Sequence, residues 1–356
     1  MPLSVAARQR QYVHHLLLPG VALLLGACSL KDDSFVLDVR KGDLPAVSRH
    51  LASGASPDST SRSGWPVLVE AAFADRTEVA LQLLQAHARV DQSNPNGFTA
   101  LHEAAKRGNV RLAGELLRQG ARIDARTQDG WTALHWATYM GHAQIAGFLL
   151  GHGAEPDPVD KTGQSVLMHA VERGRTEIAL LLIRHGVDVN RRSGPENMPK
   201  YPLLAAAEAS KSDLVLLQAL LDAGADIEAA GWYNDTPLCT AARLGNSTVA
   251  RHLVKVGAEV DVIGSYYQKT PLMFAAGSGD VELVKALLEA GATIQGKAGD
   301  RHFDALEAAL RAQEYEILEL LLRAGGKPAQ PTDSGKTVMD LAKEAGDTRA
   351  IALLTR

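Results

Sequence analysis

The sequence lacks several features by which common protein classes are recognised. It has two cysteines in 356 residues, Cys28 and Cys239, which excludes a disulfide framework and a cysteine-based zinc site. Its 37 Lys and Arg residues are outnumbered by 41 Asp and Glu residues and form no block, whereas a nucleic-acid partner needs a concentrated basic surface. The remaining composition, 46% hydrophobic and 22% charged, is that of a globular protein.

The beginning of the chain has basic residues followed by an apolar stretch, the arrangement typical of a secretory signal peptide. Arg8 and Arg10 precede a mostly apolar stretch at residues 13–25. This stretch is shorter than the roughly 20 residues that a membrane-spanning helix needs. We therefore predict a cleaved signal rather than a membrane span.

The end of this stretch carries a more specific pattern. Residues 25–28 are LGAC, a sequence that resembles the lipobox of bacterial lipoproteins. The resemblance implies a signal peptide at residues 1–27, a lipid on Cys28, and a short tether that ends at residue 33. Ser29 follows the cysteine where Asp would resemble an inner-membrane retention signal, so we expect the periplasmic side of the outer membrane. The alternative is an ordinary cleaved signal in which the cysteine occurs by chance.

The rest of the chain repeats with a period of about 33 residues. One series consists of the residue that ends a helix, which is glycine in every unit but one: Gly54, His87, Gly120, Gly153, Gly186, Gly224, Gly257, Gly291 and Gly325. A second series consists of a leucine in the first turn of a helix: Leu68, Leu101, Leu134, Leu167, Leu203, Leu238, Leu272 and Leu306, with Met339 in the last unit. Two series with one period indicate a repeat architecture.

The motifs around these positions resemble ankyrin repeats. The best matches are NGFTALHEAA at residues 96–105, DGWTALHWA at 129–137 and TPLMFAA at 270–276. In these motifs Thr is a good helix N-cap and Pro is tolerated at the first helical position. The resemblance implies an all-α solenoid of about nine to ten helix-turn-helix units, joined by β-hairpin fingers, over residues 34–356.

Within this array we expect two caps and one insertion. Residues 34–60 are predicted to form an N-terminal cap, 61–330 the central repeats, and 331–356 a C-terminal cap. Residues 191–200 (RRSGPENMPK) interrupt the period and extend one hairpin loop. This insertion is either a solvated loop or a binding element.

No motif in the sequence indicates catalysis, a cofactor or a metal. The SGKT sequence at residues 334–337 lacks the upstream glycine of a nucleotide-binding loop, since Gln330 stands in its place. His102 and His135 occupy the turn position at which the histidine of the ankyrin family hydrogen-bonds between repeats, so we predict a structural role. By the same register Cys239 is predicted to be a packed thiol. We expect a protein that is not an enzyme and takes no small-molecule substrate.

The aromatic residues indicate where a partner would bind. In ankyrin proteins the hairpin positions beside the turn glycine and the outward positions of the first helix make the contacts. All four tryptophans fall at such positions. The first predicted group is Trp65, Phe98 and Trp131 on consecutive hairpins, with Phe73, Trp136, Tyr139 and Met140 on the adjacent helices. The second is Trp232, Tyr233, Tyr266, Tyr267 and Phe274, with Phe303 nearby. Glu103, Lys106 and Arg107 are predicted to form a polar rim.

Clusters of exposed aromatics mark protein interfaces, in which Trp and Tyr dominate the binding energy. We therefore predict a lipid-anchored periplasmic module that binds another protein through its concave face and hairpin fingers. Replacing Trp131 and Trp136 by Ala should then weaken binding and leave the melting temperature nearly unchanged. The alternative is that the hairpin aromatics pack on the neighbouring finger and stiffen the stack.

Two functions fit such a module. Ankyrin-repeat lipoproteins of this layout resemble immunity proteins that neutralise envelope-targeting secreted toxins such as phospholipase effectors. The alternative is an envelope scaffold or stress-protection protein that binds an endogenous periplasmic partner.

Overall fold

The computed structural model describes residues 34–194, 198–209, 212–231, 234–264, 268–298, 301–332 and 334–355. The predicted signal peptide, Cys28 and the tether lie outside these residues. The described residues contain 20 helices in ten antiparallel pairs. In chain order the helices are α1 (Ser34–Lys41), α2 (Leu44–Ala52), α3 (Val67–Phe73), α4 (Thr77–Gln85), α5 (Ala100–Arg107), α6 (Val110–Arg118), α7 (Ala133–Met140), α8 (Ala143–Gly151), α9 (Val166–Glu172), α10 (Thr176–Arg184), α11 (Pro202–Glu208), α12 (Leu214–Asp222), α13 (Pro237–Arg243), α14 (Ser247–Lys255), α15 (Pro271–Ser278), α16 (Val281–Glu289), α17 (Ala305–Ala312), α18 (Tyr315–Arg323), α19 (Val338–Glu344) and α20 (Thr348–Leu354).

The chain divides into two compact units, an N-terminal unit that ends at Arg89 and a C-terminal unit that begins at Val90. In the N-terminal unit, α1 packs on α2 and α3, and α4 packs on α2 and α3. In the C-terminal unit, the first helix of each pair packs on the second and on the first helix of the next pair, as α5 does on α6 and α7. Residues 34–60 and 331–356, predicted as caps, each contain a complete helix pair.

The helices begin where the sequence supplies caps. The hydroxyl of Thr132 accepts a hydrogen bond from the His135 backbone N–H, and Thr236 and Thr270 cap their helices in the same way. Several second helices begin instead at Asp or Asn, as where Asp280 caps α16 and Asn109 caps α6. These side chains satisfy backbone N–H groups that have no partner within the helix.

The glycine series ends the second helix of each pair in the left-handed conformation. Gly120 has a φ of 86° and Gly224 a φ of 87°. His87, which replaces glycine in its unit, has a φ of 62°, in the same left-handed region. The register of His87 with the glycines is confirmed, and it carries a steric cost because a Cβ is disfavoured there.

The core is formed by the leucine series and the small residues around it. Every leucine of that series is at most 2% exposed. The second helices bury leucines of their own, such as Leu83 in the N-terminal unit and Leu149 in the C-terminal unit. The apolar faces of both helices in a pair are therefore covered, and the core runs along the stacked pairs rather than inside any one of them.

A series of side-chain acceptors links successive pairs. Each acceptor lies four residues after a glycine-series position and binds the backbone N–H of a residue in the next pair. In the N-terminal unit, Asp58 accepts from Arg89 N at 2.7 Å. In the C-terminal unit the acceptors are Asp91, Asp124, Asn190, Glu228, Asp261 and Gln295. These bonds hold the connecting loops in register.

The connections between pairs are mostly turns with little strand structure. Among the described residues, one connection forms a ladder, in which β1 (Gln295–Ala298) pairs antiparallel with β2 (Arg301–Asp304). Elsewhere isolated bridges close the turn, as between Thr60 and Pro66 or Val159 and Ser165. The predicted β-hairpin fingers are thus regular strands in one place and tight turns in the others.

Candidate protein-binding surface

Trp131 is held at the end of a turn that leads into α7. Its backbone N–H donates to Thr127 Oγ1 at 3.2 Å, and its carbonyl accepts from Thr127 N at 2.9 Å. The same carbonyl accepts from His102 Nε2 at 3.1 Å. Both its own turn and the neighbouring repeat bind the backbone of Trp131. This backbone is therefore held in place without a partner, and it sets where the indole starts.

Three half-buried rings lie around Trp131. The centroid of Trp136 is 4.6 Å from that of Trp131, and the centroid of Tyr139 is 5.2 Å from it. Phe98, on the preceding turn, lies 5.2 Å from Trp136. We call Phe98, Trp136 and Tyr139 the aromatic surface. Positions 136 and 139 are three residues apart on α7 and therefore share one face of that helix.

Trp131 itself is buried rather than exposed. It is 5% exposed and is covered by Trp136, Tyr139 and the ring of His169, whose centroid is 5.0 Å away. The prediction that Trp131 is a surface contact residue is wrong, because the large side chains of α7 and of the next repeat close over it. Its replacement by Ala is therefore not expected to leave the melting temperature unchanged.

Two cations border the aromatic surface. Lys106 Nζ lies 5.0 Å from the Trp136 ring centroid and 5.7 Å from that of Phe98. The guanidinium carbon of Arg173 lies 3.4 Å from the Tyr139 centroid. Both distances fall within the range of cation–π attraction.

The predicted polar rim is only partly at the surface. Arg107 is exposed and Lys106 is half-buried, as expected of a rim. Glu103 is 1% exposed, so its assignment to the rim is wrong. Its carboxylate lies beneath Lys106, with Oε2 at 4.0 Å from Nζ. The exposed face of α5 therefore includes Lys106 and Arg107 but not Glu103.

The N-terminal unit carries a smaller aromatic pair. Trp65 and Phe73 are half-buried and meet edge to face, with centroids 5.3 Å apart. Trp65 N donates to the hydroxyl of Ser61 at 3.1 Å, which closes the turn. The pair joins the end of a turn to the end of α3.

Most of the second predicted group lies outside the described residues. These are Trp232, Tyr233, Tyr266 and Tyr267, and the side chain of Phe303 is likewise not described. Phe274 is half-buried on α15, and Lys269 Nζ lies 5.7 Å from its centroid. The structure therefore describes one complete aromatic cluster, the one around Trp131. Met140, the last predicted residue of the first group, is half-buried at the end of α7.

Comparison with known families agrees with this repeating geometry. A three-copy ankyrin repeat model matches residues 35–127, 108–193 and 263–334, and a single-repeat model matches 233–265. The matches cover more than half of the chain. The chain belongs to the ankyrin repeat family. No curated protein matches it.

This membership confirms the all-α ankyrin fold predicted from the sequence. Ankyrin repeats indicate a protein–protein interaction module, and ankyrin proteins are typically non-enzymatic scaffolds. Within the described residues no cluster of three or more His, Cys, Asp or Glu side chains could hold a metal ion. In the same part of the chain no helix is long and apolar enough to span a membrane.

The turn histidines have structural roles, as predicted. His102 Nδ1 accepts from Thr99 N at 3.1 Å, and Nε2 donates to the carbonyls of Ala125 and Trp131 in the next ankyrin repeat. Burial lowers the pKa of His102 to about 4, despite these two acceptors, which favour the protonated ring.

His135 repeats the arrangement incompletely. Its Nδ1 accepts from Thr132 N at 3.1 Å, but Nε2 is buried and has no hydrogen-bond partner among the described residues. Burial, and then the nearby charge of His169, lower the pKa of His135 to about 3. The buried ring is therefore neutral at ordinary pH.

Cys239 is a packed thiol, also as predicted. It is fully buried, and its Sγ–H donates to the carbonyl of Val262 at 3.3 Å. Burial raises its pKa to about 11, so the reactive thiolate is suppressed.

Sequence reasoning missed a buried contact between a histidine and an aspartate beneath the cluster. His169 Nε2 lies 3.2 Å from Asp160 Oδ2, and both side chains are less than 10% exposed. Burial alone would raise the pKa of Asp160, but hydrogen bonds from His169, Thr162 and the Gln164 backbone hold it well below its usual range. The signal was present, since Asn94, Thr127 and Asp160 recur at 33-residue spacing as acceptors that close each turn.

Each end of the insertion at residues 191–200 forms an ion pair with a neighbouring residue. The Arg191 guanidinium pairs with Asp157 at 2.6 Å, and Lys200 Nζ donates to Glu172 at 2.9 Å. Ser193 and Lys200 exchange two backbone hydrogen bonds of 2.9 Å. Residues 195–197, at its tip, lie outside the described residues.

Proposed function

We propose that this ankyrin protein binds another protein through the aromatic surface and holds it at the periplasmic face of the outer membrane. There it acts as an immunity protein that blocks an envelope-attacking toxin such as a phospholipase effector. The observation that carries the binding role is the stack of half-buried Phe98, Trp136 and Tyr139 over a fixed, buried Trp131. Trp and Tyr at such places supply most of the affinity of protein interfaces.

Rigidity supports this assignment. Trp131 is held by backbone hydrogen bonds from its own turn and from His102. Trp136 and Tyr139 pack on Trp131, Phe98 packs on Trp136, and these rings lose little freedom when a partner covers them. A preorganised surface avoids much of the ordering cost of association.

The exposed part of Trp136 is suited to an apolar contact. Its indole N–H is buried and has no hydrogen-bond partner among the described residues. The part that solvent reaches is therefore carbon. A partner's apolar side chain would remove that carbon from water at roughly 25 cal/mol per Å².

The anchor is supported by the LGAC sequence at residues 25–28. A lipid on Cys28 leaves residues 29–33 as the tether, which spans at most about 17 Å when extended. An inhibitor held this close to the bilayer meets any enzyme that attacks the bilayer. This proximity is the reason to favour a toxin over a soluble periplasmic partner.

The first experiment tests the anchor. Changing Cys28→Ser should abolish incorporation of labelled fatty acid and move the chain from the membrane to the soluble fraction or leave it unprocessed. A Cys239→Ser variant is the matched control, and it should remain lipid-labelled. Unchanged labelling of the Cys28→Ser variant would refute the lipoprotein proposal.

The second experiment separates immunity from a scaffold role. A strain without this gene should grow normally alone and be killed beside a competitor that delivers the toxin. The wild-type gene should restore survival, and Trp136→Ala should not, at equal protein level. An envelope defect of the deletion strain grown alone, with no loss of survival in competition, would favour the scaffold instead.

A further inference from the structure

The aromatic surface is bordered by positive charge on both sides. Lys106 lies over Trp136 and Phe98 on one side, and Arg173 lies over Tyr139 on the other. The exposed Arg107 follows Lys106 at the end of α5.

Arg173 is placed to receive a carboxylate. It is exposed, it follows the last residue of α9, and no carboxylate of the described residues forms an ion pair with it. A guanidinium that stacks on a ring by its face keeps its N–H groups directed outward in its own plane. Those N–H groups match the two oxygens of a carboxylate.

The next arginine along the chain serves a different purpose. Arg175 is half-buried, and its Nη2 donates to the carbonyl of Tyr139 at 3.4 Å. Arg175 therefore holds the end of α7 in place and has a structural role. Of these two arginines, Arg173 is the one that is exposed.

The acidic side chains near this border engage groups other than Arg173. Glu103 is buried beneath Lys106 and pairs with it, with Oε2 at 4.0 Å from Nζ, and Asp160 is buried against His169. The exposed Glu172 is engaged by Lys200 and by the side chain of Gln164. A partner at Trp136 and Tyr139 therefore meets apolar carbon beside Arg173.

We propose that the partner docks a segment in which an apolar or aromatic side chain is flanked by Asp or Glu. The apolar side chain covers Trp136, and a carboxylate pairs with Arg173. This inference rests on the proposed binding function and names the chemistry of the partner. Charge complementarity of this kind sets specificity and association rate more than total affinity.

The test begins with a photoreactive benzoylphenylalanine in place of Met140, in the full-length chain inside cells. Cross-linked partner peptides are identified by mass spectrometry. The expected peptide has an apolar side chain with an acidic residue beside it. A cross-linked peptide without carboxylates would overturn this inference and leave the proposed binding function intact. If the partner still binds but gives no cross-link here, both are overturned.

The second step uses a synthetic peptide of the cross-linked sequence. Arg173→Glu should weaken its binding by about tenfold or more, and Arg173→Lys by less, because Lys cannot make a bidentate pair. Changing the facing peptide Glu to Arg should restore binding to the Arg173→Glu variant and weaken binding to the wild type. Arg184→Glu, the same charge change at the end of α10, is the matched control and should have little effect. Equal effects at both positions would overturn the proposed pairing.

Discussion

Trp131 and Trp136 are adjacent in space, and truncation should affect mainly stability at Trp131 and mainly binding at Trp136. Trp131 is 5% exposed and contacts the rings of His135, Trp136, Tyr139 and His169 at centroid distances of 4.6–5.7 Å. Replacing a core Trp by Ala costs about 3 to 5 kcal/mol, because transfer free energy and packing are both lost. We expect Trp131→Ala to lose that much stability.

Trp136→Ala removes a half-buried ring that supports fewer neighbours, so we expect a loss of about 1 to 3 kcal/mol. Its effect on binding should be larger than its effect on stability, since interface tryptophans contribute about 2 kcal/mol or more when truncated. The two variants differ in one ring each and serve as controls for one another.

The assay is urea unfolding followed by far-UV circular dichroism, combined with hydrogen exchange of peptides from α5 to α9. Hydrogen exchange is needed because a repeat array can unfold in stages, and a single midpoint can then hide a local loss. Trp131→Ala should lower the protection of α7 and α9. An unchanged midpoint with unchanged protection in Trp131→Ala would refute the conclusion that this ring is structural.

Three further predictions follow from the buried and strained groups. Since the folded pKa values of His102 and His135 are lowered to about 4 and about 3, the unfolded chain binds protons there that the folded chain excludes, and stability should fall as pH drops below 6.5. At pH 5 the expected loss is about 2 kcal/mol for each ring, measured by urea midpoints at pH 7.5 and 5. His87→Gly should raise stability by about 1 kcal/mol in the same assay, because it relieves a left-handed backbone conformation. Cys239 should react with a thiol reagent at pH 8 only in urea, and if Cys28 carries a lipid that is the single reactive thiol per chain.

Each of these has a contradicting result. The pH effect is refuted if a double His102→Gln, His135→Gln variant loses as much stability on acidification as the wild type, with the exposed His185→Gln as control. An unchanged or lower midpoint for His87→Gly would show that the histidine side chain stabilises the native state. Two reactive thiols in urea would show that Cys28 is unmodified, and a thiol that reacts in the native chain would contradict the burial of Cys239.

Local pattern was sufficient to predict the fold. The glycine and leucine series predicted where each helix pair ends and which leucines are buried, because these depend on residues within one or two turns. The acceptor series that begins at Asp58 and Asp91 could also have been predicted from the sequence, because its members lie four residues after glycine-series positions. It was overlooked because its members vary among Asp, Asn, Glu and Gln, which share an oxygen acceptor rather than an identity.

Exposure of the aromatic residues could not be predicted in this way. Trp65, Phe98 and Trp131 share one register position, yet the first two are half-buried and the third is buried. The difference depends on what covers them. Trp131 is followed by two large rings on α7 and by His169 in the next repeat, whereas Trp65 meets the ring of Phe73. Exposure is thus set by residues up to 38 positions away.

One position on the first helix of a pair holds a different kind of side chain from repeat to repeat. Glu70, Glu103, Trp136 and His169 follow one another at 33-residue spacing. Three of the four are buried polar groups with a charged neighbour, as where Arg40 binds both carboxylate oxygens of Glu70 within the N-terminal unit. Nothing in the register alone indicates which charge each will find.

Trp136 departs from this pattern in every respect. It is apolar and half-buried, and its N–H has no hydrogen-bond partner among the described residues. An unsatisfied buried N–H costs about 1 to 3 kcal/mol, so the polar atom of this side chain does not stabilise the repeat. A position that holds a paired polar group in neighbouring repeats, and here exposes carbon between two cations, is the place at which this ankyrin stack differs from a merely structural one. That difference is the physical argument for a partner at this surface.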